Sequence, residues 1–167
     1  LFSDAGSATA LEFEKNHKIY FNLQTDGKEF DDIIVYDGGF RNRYSEKSLE
    51  ETEYEKGITR TRLDMKLDGL KIFNFALREV APNINELLSQ IQVEKSSVDY
   101  FLFHQANLLM LESVRKKLQV PAEKVPYSLF DYGNTSSATI PVTLVTKARE
   151  ALTGKKLNLV LSGFGVG

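Results

Sequence analysis

The stretch Tyr100-Phe101-Leu102-Phe103-His104-Gln105-Ala106-Asn107 decides the fold. Four apolar or aromatic residues run directly into a histidine and two amides. A short apolar run bounded by polar residues reads as a buried strand, and this one delivers a polar group at its end. Ser96-Ser97 leads into it, and residues 98–103 form the strand. Helical spacing follows at Leu108, Leu111, Val114 and Leu118. Arg115, Lys116 and Lys117 lie near the end of that helix, where positive charge suits the C-terminal dipole.

A companion stretch lies downstream: Tyr132-Gly133-Asn134-Thr135-Ser136-Ser137-Ala138-Thr139-Ile140-Pro141. It places an asparagine in a glycine-marked turn ahead of a helix. Thr135, Ser136 and Ser137 are N-cap candidates, and Pro141 is tolerable only in the first turns. Val142, Leu144, Val145, Ala148 and Leu152 give this helix its apolar face. Thr153-Gly154 ends it, and residues 157–161 form a last strand running into Gly163-Phe164-Gly165-Val166-Gly167.

Upstream, Leu70, Phe73, Leu77 and Val80 recur at helical spacing from Gly69, with Ile72, Phe75 and Ala76 widening the stripe. Pro82 predicts a kink, or a break and new start, near Ala81. Ile84, Leu87, Leu88 and Ile91 continue the apolar face. Residues 8–14 alternate and residues 18–24 are rich in aromatic and β-branched types, so two strands are predicted, with a hairpin turn at Asn16-His17. Asp26-Gly27 is another turn, and residues 33–36 form a short strand ending at Asp37-Gly38-Gly39. Residues 40–61 are polar and charged. They read as a solvated loop with one exposed helical turn, or else as a substrate-entrance flap. From Gly69 onward the order is helix, strand, helix, helix, strand, which argues for an α/β layered sheet.

Composition narrows the function classes. The 167 residues suit one domain, 42% apolar and 26% charged, as in an ordinary globular protein. With 23 acidic and 21 basic residues the net charge is -2, which carries no nucleic-acid footprint. There are no cysteines, so a disulfide, a zinc-thiolate site or a cysteine nucleophile cannot come from these residues. No apolar run approaches the roughly 18 residues of a membrane span, and a cytoplasmic location is expected. No His/Asp/Glu cluster has metal-ligand spacing, no phosphate-binding glycine pattern follows a strand, and no cofactor is expected. Both ends are expected to continue into something longer.

Two histidines are present. His17, between Lys15 and Lys18, reads as exposed. His104 sits at the carboxyl end of a buried strand, where ligands gather in open α/β sheets. Each candidate also has a plain reading. His104 could be a satisfied structural residue, Asn134 a turn asparagine tolerating left-handed backbone, and the terminal glycines a loose loop. Those glycines could equally let backbone N–H groups approach an oxyanion. The function turns on whether His104 and Asn134 come together.

The ordered motifs His104-Gln105-Ala106-Asn107, Gly133 to Pro141 and Gly163 to Gly167 resemble those of β-ketoacyl-acyl carrier protein synthase III, in the thiolase superfamily. Leu1-Phe2-Ser3-Asp4-Ala5-Gly6-Ser7-Ala8 resembles the segment that closes that family's N-terminal half. The resemblance implies a thiolase-like fold of two similar halves layered αβαβα. Residues 1–16 would be the last strand region of the first half. Residues 17–167 would be most of the second half, short of its final strand. It implies a decarboxylative condensation of an acyl-CoA with malonyl-carrier protein, with His104 and Asn134 stabilising the thioester enolate. The family's nucleophilic cysteine lies in the other half, and the parent protein is expected to be a homodimer. The resemblance further assigns an oxyanion loop to Phe164, Gly165, Val166 and Gly167. Carrier or substrate contacts fall to Gln105, Ala106, Asn107, Leu108 and Leu109, and an acyl pocket to Gly69 and Phe73. Many family members have a basic, carrier-docking residue at the position of Leu109. That departure leaves open a coenzyme A-using enzyme without a carrier, and the missing cysteine leaves open a non-catalytic partner subunit.

Overall fold

The computed structural model describes residues 2–154 and 156–165. It divides into two compact units, one of Thr25–Asn74 and one of Phe75–Gly165 with the residues up to Gln24.

In the unit Thr25–Asn74 the regular elements are short. They are β1 (Ile33–Ile34), a 3-10 turn (Glu46–Leu49), β2 (Thr52–Glu55), β3 (Ile58–Arg60) and β4 (Lys66–Leu67). β1 pairs antiparallel with β4, Ile33 opposite Leu67. β2 and β3 form a hairpin closed at Gly57, whose φ of 80° suits glycine. Few apolar side chains are buried here, and polar anchors do the holding. The buried Asp37 carboxylate takes Arg62 Nε at 3.0 Å and Ser48 Oγ at 2.8 Å. Lys71 Nζ lies 2.9 Å from the buried Asp32, and Arg60 stacks 4.8 Å above the Tyr54 ring. The helical turn expected within 40–61 is present, but the loop reading is corrected by the hairpin. Thr52, Tyr54, Ile58 and Thr59 are strand formers. Because β2 is exposed along its whole length, no burial alternation marks it.

The other unit holds the main core. α1 (Gly69–Gln90) runs unbroken through Pro82, correcting the predicted break. Val80, Ala81, Ile84 and Leu88 are buried on either side of the proline. Their burial outweighs the single hydrogen bond that a residue without N–H cannot give. β5 (Tyr100–Phe103) follows, with Phe101, Leu102 and Phe103 wholly inaccessible on both faces. α2 (Leu108–Leu118) is capped by Asn107, whose Oδ1 accepts the Met110 N–H at 2.9 Å. It turns Met110, Leu111, Val114 and Leu118 inward. Arg115 bonds Glu112 and, at 2.9 Å, the Val120 carbonyl, tying the end of α2 to the next turn.

α3 (Leu129–Tyr132), a 3-10 turn (Ser136–Ala138), α4 (Thr139–Lys147) and α5 (Arg149–Gly154) come next. The single helix predicted after Asn134 is thus three pieces, divided at Ala148. β6 (Leu159–Ser162) closes the order, parallel to β5 with Tyr100 opposite Leu159 and Phe103 opposite Ser162. α4 packs against β5.

The predicted strands 8–14 and 18–24 do not form among the described residues. The chain there is extended with a turn at Lys15-Asn16. Leu11, Phe13, Phe21 and Leu23 stand in solvent, Phe13 at 93% exposure. Asn22 and Asn83 hold one point of this segment by exchanging side-chain-to-carbonyl bonds of 3.0 and 3.3 Å. A strand requires a neighbour for its ladder, and none of the described strands pairs with these residues.

Candidate active site

The polar end of β5 and the start of α4 form one bonded assembly. His104 N–H donates to the Ser162 carbonyl at 2.9 Å, carrying the β5–β6 ladder one residue past its last pair. Its side chain is half-buried. Nδ1 lies 2.9 Å from Thr139 Oγ1, and the ring meets Phe164 edge-on, with centroids 5.6 Å apart and planes at 82°. Burial holds the imidazole below its ordinary pKa, with the Ser136 backbone pulling weakly the other way. The neutral ring is favoured.

Asn134 stands in the turn that precedes α4. Its Oδ1 accepts the Ser136 N–H at 2.9 Å. The Ser136 carbonyl in turn accepts the Thr139 hydroxyl at 2.8 Å. Ser136 therefore links the two candidates, its N–H serving Asn134 and its carbonyl serving the partner of His104. Ser136 has φ of +54°, a strained value for a residue with a side chain and one found at functional turns. The amide oxygen of Asn134 is spent on this turn. Its Nδ2 and His104 Nε2 have no hydrogen-bond partner among the described residues.

The turn is braced from behind. Gly133 adopts φ +66° and ψ -156°, open only to glycine. A Cβ there would collide with Ser3 Oγ. Ser3 N–H donates to the Asn134 carbonyl at 2.8 Å, so the segment that begins the chain is stapled to the asparagine.

The remaining sequence candidates fall into three groups. Gln105 is fully buried: Nε2 donates to the Phe103 carbonyl at 2.9 Å and Oε1 accepts the Ser128 N–H at 3.0 Å. Its side chain belongs to the interior rather than to a docking face. Ala106 N–H bonds the His104 carbonyl at 3.0 Å, which tightens the turn, and Asn107 is the α2 cap. Leu108 and Leu109 are exposed, Leu109 at 69%. Gly165 has φ of +146°, whereas Val166 and Gly167 lie outside the described residues. Gly69 and Phe73 belong to the unit Thr25–Asn74.

Sequence reading missed Thr139, Thr143 and Ser128, all buried. Thr143 Oγ1 donates to the Thr139 carbonyl at 2.7 Å, and Ser128 Oγ lies 2.6 Å from Thr143 Oγ1. The signal was Thr139 and Thr143 at i and i+4, a spacing that places two hydroxyls on one helix face. The Thr135 hydroxyl is also buried and has no partner among the described residues.

Comparison with known proteins shows what the chain is similar to. Residues 88–167 match the family model described as 3-oxoacyl-[acyl-carrier-protein (ACP)] synthase III C terminal. The β-ketoacyl-[acyl-carrier-protein] synthase III of Streptococcus agalactiae is 33% identical over 170 residues, covering all of this chain and 49% of that protein. A crystal structure of 3-oxoacyl-(acyl-carrier-protein) synthase III superposes with a TM-score of 0.78 at 35% identity, over 86% of this chain and 42% of that one. The 3-oxoacyl-(acyl-carrier protein) synthase of Burkholderia xenovorans LB400 does so at 0.74 and 39%, over 86% and 40%. The chain spans about half the length of the curated relatives it matches. Across its own length the chain is similar to β-ketoacyl-[acyl-carrier-protein] synthase III, its fold matches part of that thiolase-like structure, and residues 88–167 match the family's C-terminal part.

Proposed function

We propose that this chain is part of a condensing acyltransferase of the 3-oxoacyl-acyl carrier protein synthase III type, acting in fatty acid biosynthesis in the cytoplasm. Residues 1–16 complete the preceding half, and residues 17–167 supply most of the C-terminal half. The nucleophilic cysteine belongs to that preceding half, and the whole protein is a homodimer. The observation that carries the reading is the linkage of His104 and Asn134 through Ser136, with Nε2 and Nδ2 both left unspent.

The reaction needs no bound cofactor; coenzyme A thioester is a substrate. The cysteine thiolate attacks the acyl-CoA carbonyl carbon, and coenzyme A leaves as its thiolate. The segment from Phe164 to Gly167 and the cysteine's own amide receive the oxyanion of that step. Malonyl-carrier protein then loses carbon dioxide, and the electron pair of the broken carbon–carbon bond forms the enolate. Negative charge grows on the thioester oxygen, where Asn134 Nδ2–H and His104 Nε2–H meet it. Preorganised donors at such a point are worth on the order of 100-fold or more each. The enolate carbon then attacks the acyl-enzyme and releases the cysteine. Gly69 and Phe73 contribute to the acyl pocket.

A second reading differs only in the extender's carrier. Leu109 presents an apolar side chain at the exposed start of α2, which favours a malonyl group delivered on coenzyme A over one delivered on an acidic carrier protein.

The test combines the chain with the half that bears the cysteine, as one polypeptide. Condensation of acyl-CoA is measured with malonyl-carrier and with malonyl-CoA. His104→Ala and Asn134→Ala are each expected to lower turnover by about 100-fold or more. Unchanged turnover in either variant overturns the assignment, and the preferred extender decides between the two readings.

A further inference from the structure

We propose that Thr139 is a positioning residue: its hydroxyl fixes the resting proton of His104 on Nδ1 and leaves Nε2 as a proton acceptor. The number of hydrogens available at these atoms decides the tautomer. A threonine hydroxyl has one hydrogen and a carbonyl has none. The 2.8 Å contact from Thr139 Oγ1 to the Ser136 carbonyl therefore uses the hydroxyl hydrogen. The same oxygen lies 2.9 Å from His104 Nδ1, so it can only accept there, and Nδ1 carries the proton. A neutral imidazole has one ring N–H, so Nε2 is left with its lone pair.

The opposite arrangement makes fewer bonds. If the hydroxyl turned to donate to Nδ1, the ring proton would sit on Nε2, which has no partner among the described residues. The Ser136 carbonyl would keep the Thr139 backbone N–H and lose the hydroxyl. Two hydrogen bonds would become one.

The Thr139 oxygen is also fixed in place. Its residue is 1% exposed. Thr143 spends its only hydroxyl hydrogen on the Thr139 carbonyl, so Ser128 Oγ must donate in its 2.6 Å contact with Thr143. Ser128 N–H then bonds Gln105, the neighbour of His104. The chain of bonds leaves the strand end at His104 and returns to it one residue later. A closed, satisfied network of this kind restrains its members more than separate pairs do.

The consequence rests on the acyltransferase reading. A histidine in this state must gain a proton at Nε2 before it can donate one there. The nucleophile's thiol can supply it: the S–H bond breaks, the sulfur keeps the electron pair, and the proton goes to Nε2. The resulting imidazolium stays bonded to Thr139 through Nδ1, and its Nε2–H becomes the oxyanion donor.

The tautomer can be read without turnover, so failure here is distinguishable from failure of the acyltransferase reading. The experiment is long-range proton–nitrogen correlation of the His104 ring in the nitrogen-15-labelled chain, with His17→Gln to remove the second ring. At a pH where His104 is neutral, Nδ1 is expected to resonate as a protonated nitrogen and Nε2 as an unprotonated one. Thr139→Val, which keeps the shape and deletes the hydroxyl, is expected to move most of the proton to Nε2, the intrinsically preferred site of a free ring. Thr139→Ser is expected to restore the wild-type pattern. A wild-type ring protonated on Nε2 overturns the proposal even if the valine variant does not fold. So does a folded valine variant that keeps its proton on Nδ1.

Discussion

Two runs of the same kind of residue end differently in this molecule. Residues 98–103 and residues 8–24 both join aromatic and aliphatic side chains in short apolar segments. In the first, Phe101, Leu102 and Phe103 are inaccessible, a parallel neighbour lies alongside, and His104 is held at the end. In the second, Leu11, Phe13, Phe21 and Leu23 face solvent. Sequence type is nearly constant between them. What differs is whether the chain itself provides the neighbouring strand and the helix that covers it. Apolar patterning therefore marks a surface that needs burial, and packing alone decides whether it is buried.

The sharpest way to break the comparison is to truncate one aromatic from each run. Phe103→Ala is expected to cost about 3–5 kcal/mol in denaturant unfolding. Phe13→Ser in the same chain is expected to change stability by less than about 0.5 kcal/mol. Joined to the proposed preceding half, Phe13→Ser should become costly. If it does not, residues 8–24 are not a strand waiting for a neighbour.

A second cut separates shape from polarity at the end of the buried run. Gln105→Leu keeps the volume and leaves the Ser128 N–H without its acceptor. An orphaned buried donor costs about 1–3 kcal/mol, and unfolding midpoints would read it. A neutral outcome would mean that the polar network can relax around its loss.

The smallest effect lies on the far side of α2. Arg115, then Tyr127, holds the Glu112 carboxyl at about 2, against an ordinary 4.5. Its folded value is below its unfolded one. The stabilisation is therefore complete above about pH 4.5 and fades as the pH falls toward about 2. Because the pair is partly solvated, the amount is about 1 kcal/mol or less. Glu112→Gln should flatten the acid limb of the stability profile over that range, and an unchanged limb would assign the acid response to other carboxylates.

These contrasts also explain how much the sequence disclosed. The strand at 98–103 and the helix after Asn107 were legible because burial and helical spacing leave marks along the chain. Strands 8–14 and 18–24 were read from real patterning that the chain alone does not satisfy. The hairpin Thr52 to Arg60 was missed because its side chains are exposed and charged, so nothing alternates with burial. Thr139, Thr143 and Ser128 were missed for a related reason. A hydroxyl looks the same in a sequence whether it faces water or completes a buried network. The helix does not break at Pro82 because local propensity is weaker than the core that flanks it.

The bond from Ser3 to Asn134 bears on how the molecule can be trimmed. The exposed stretch after it invites removal to improve solubility. A cut between residues 8 and 24 would release the short strap on its N-terminal side and remove the backing from the asparagine turn. The shortened protein could keep its core and still lose the arrangement around Ser136, so solubility and integrity of the site should be scored separately in any truncation series.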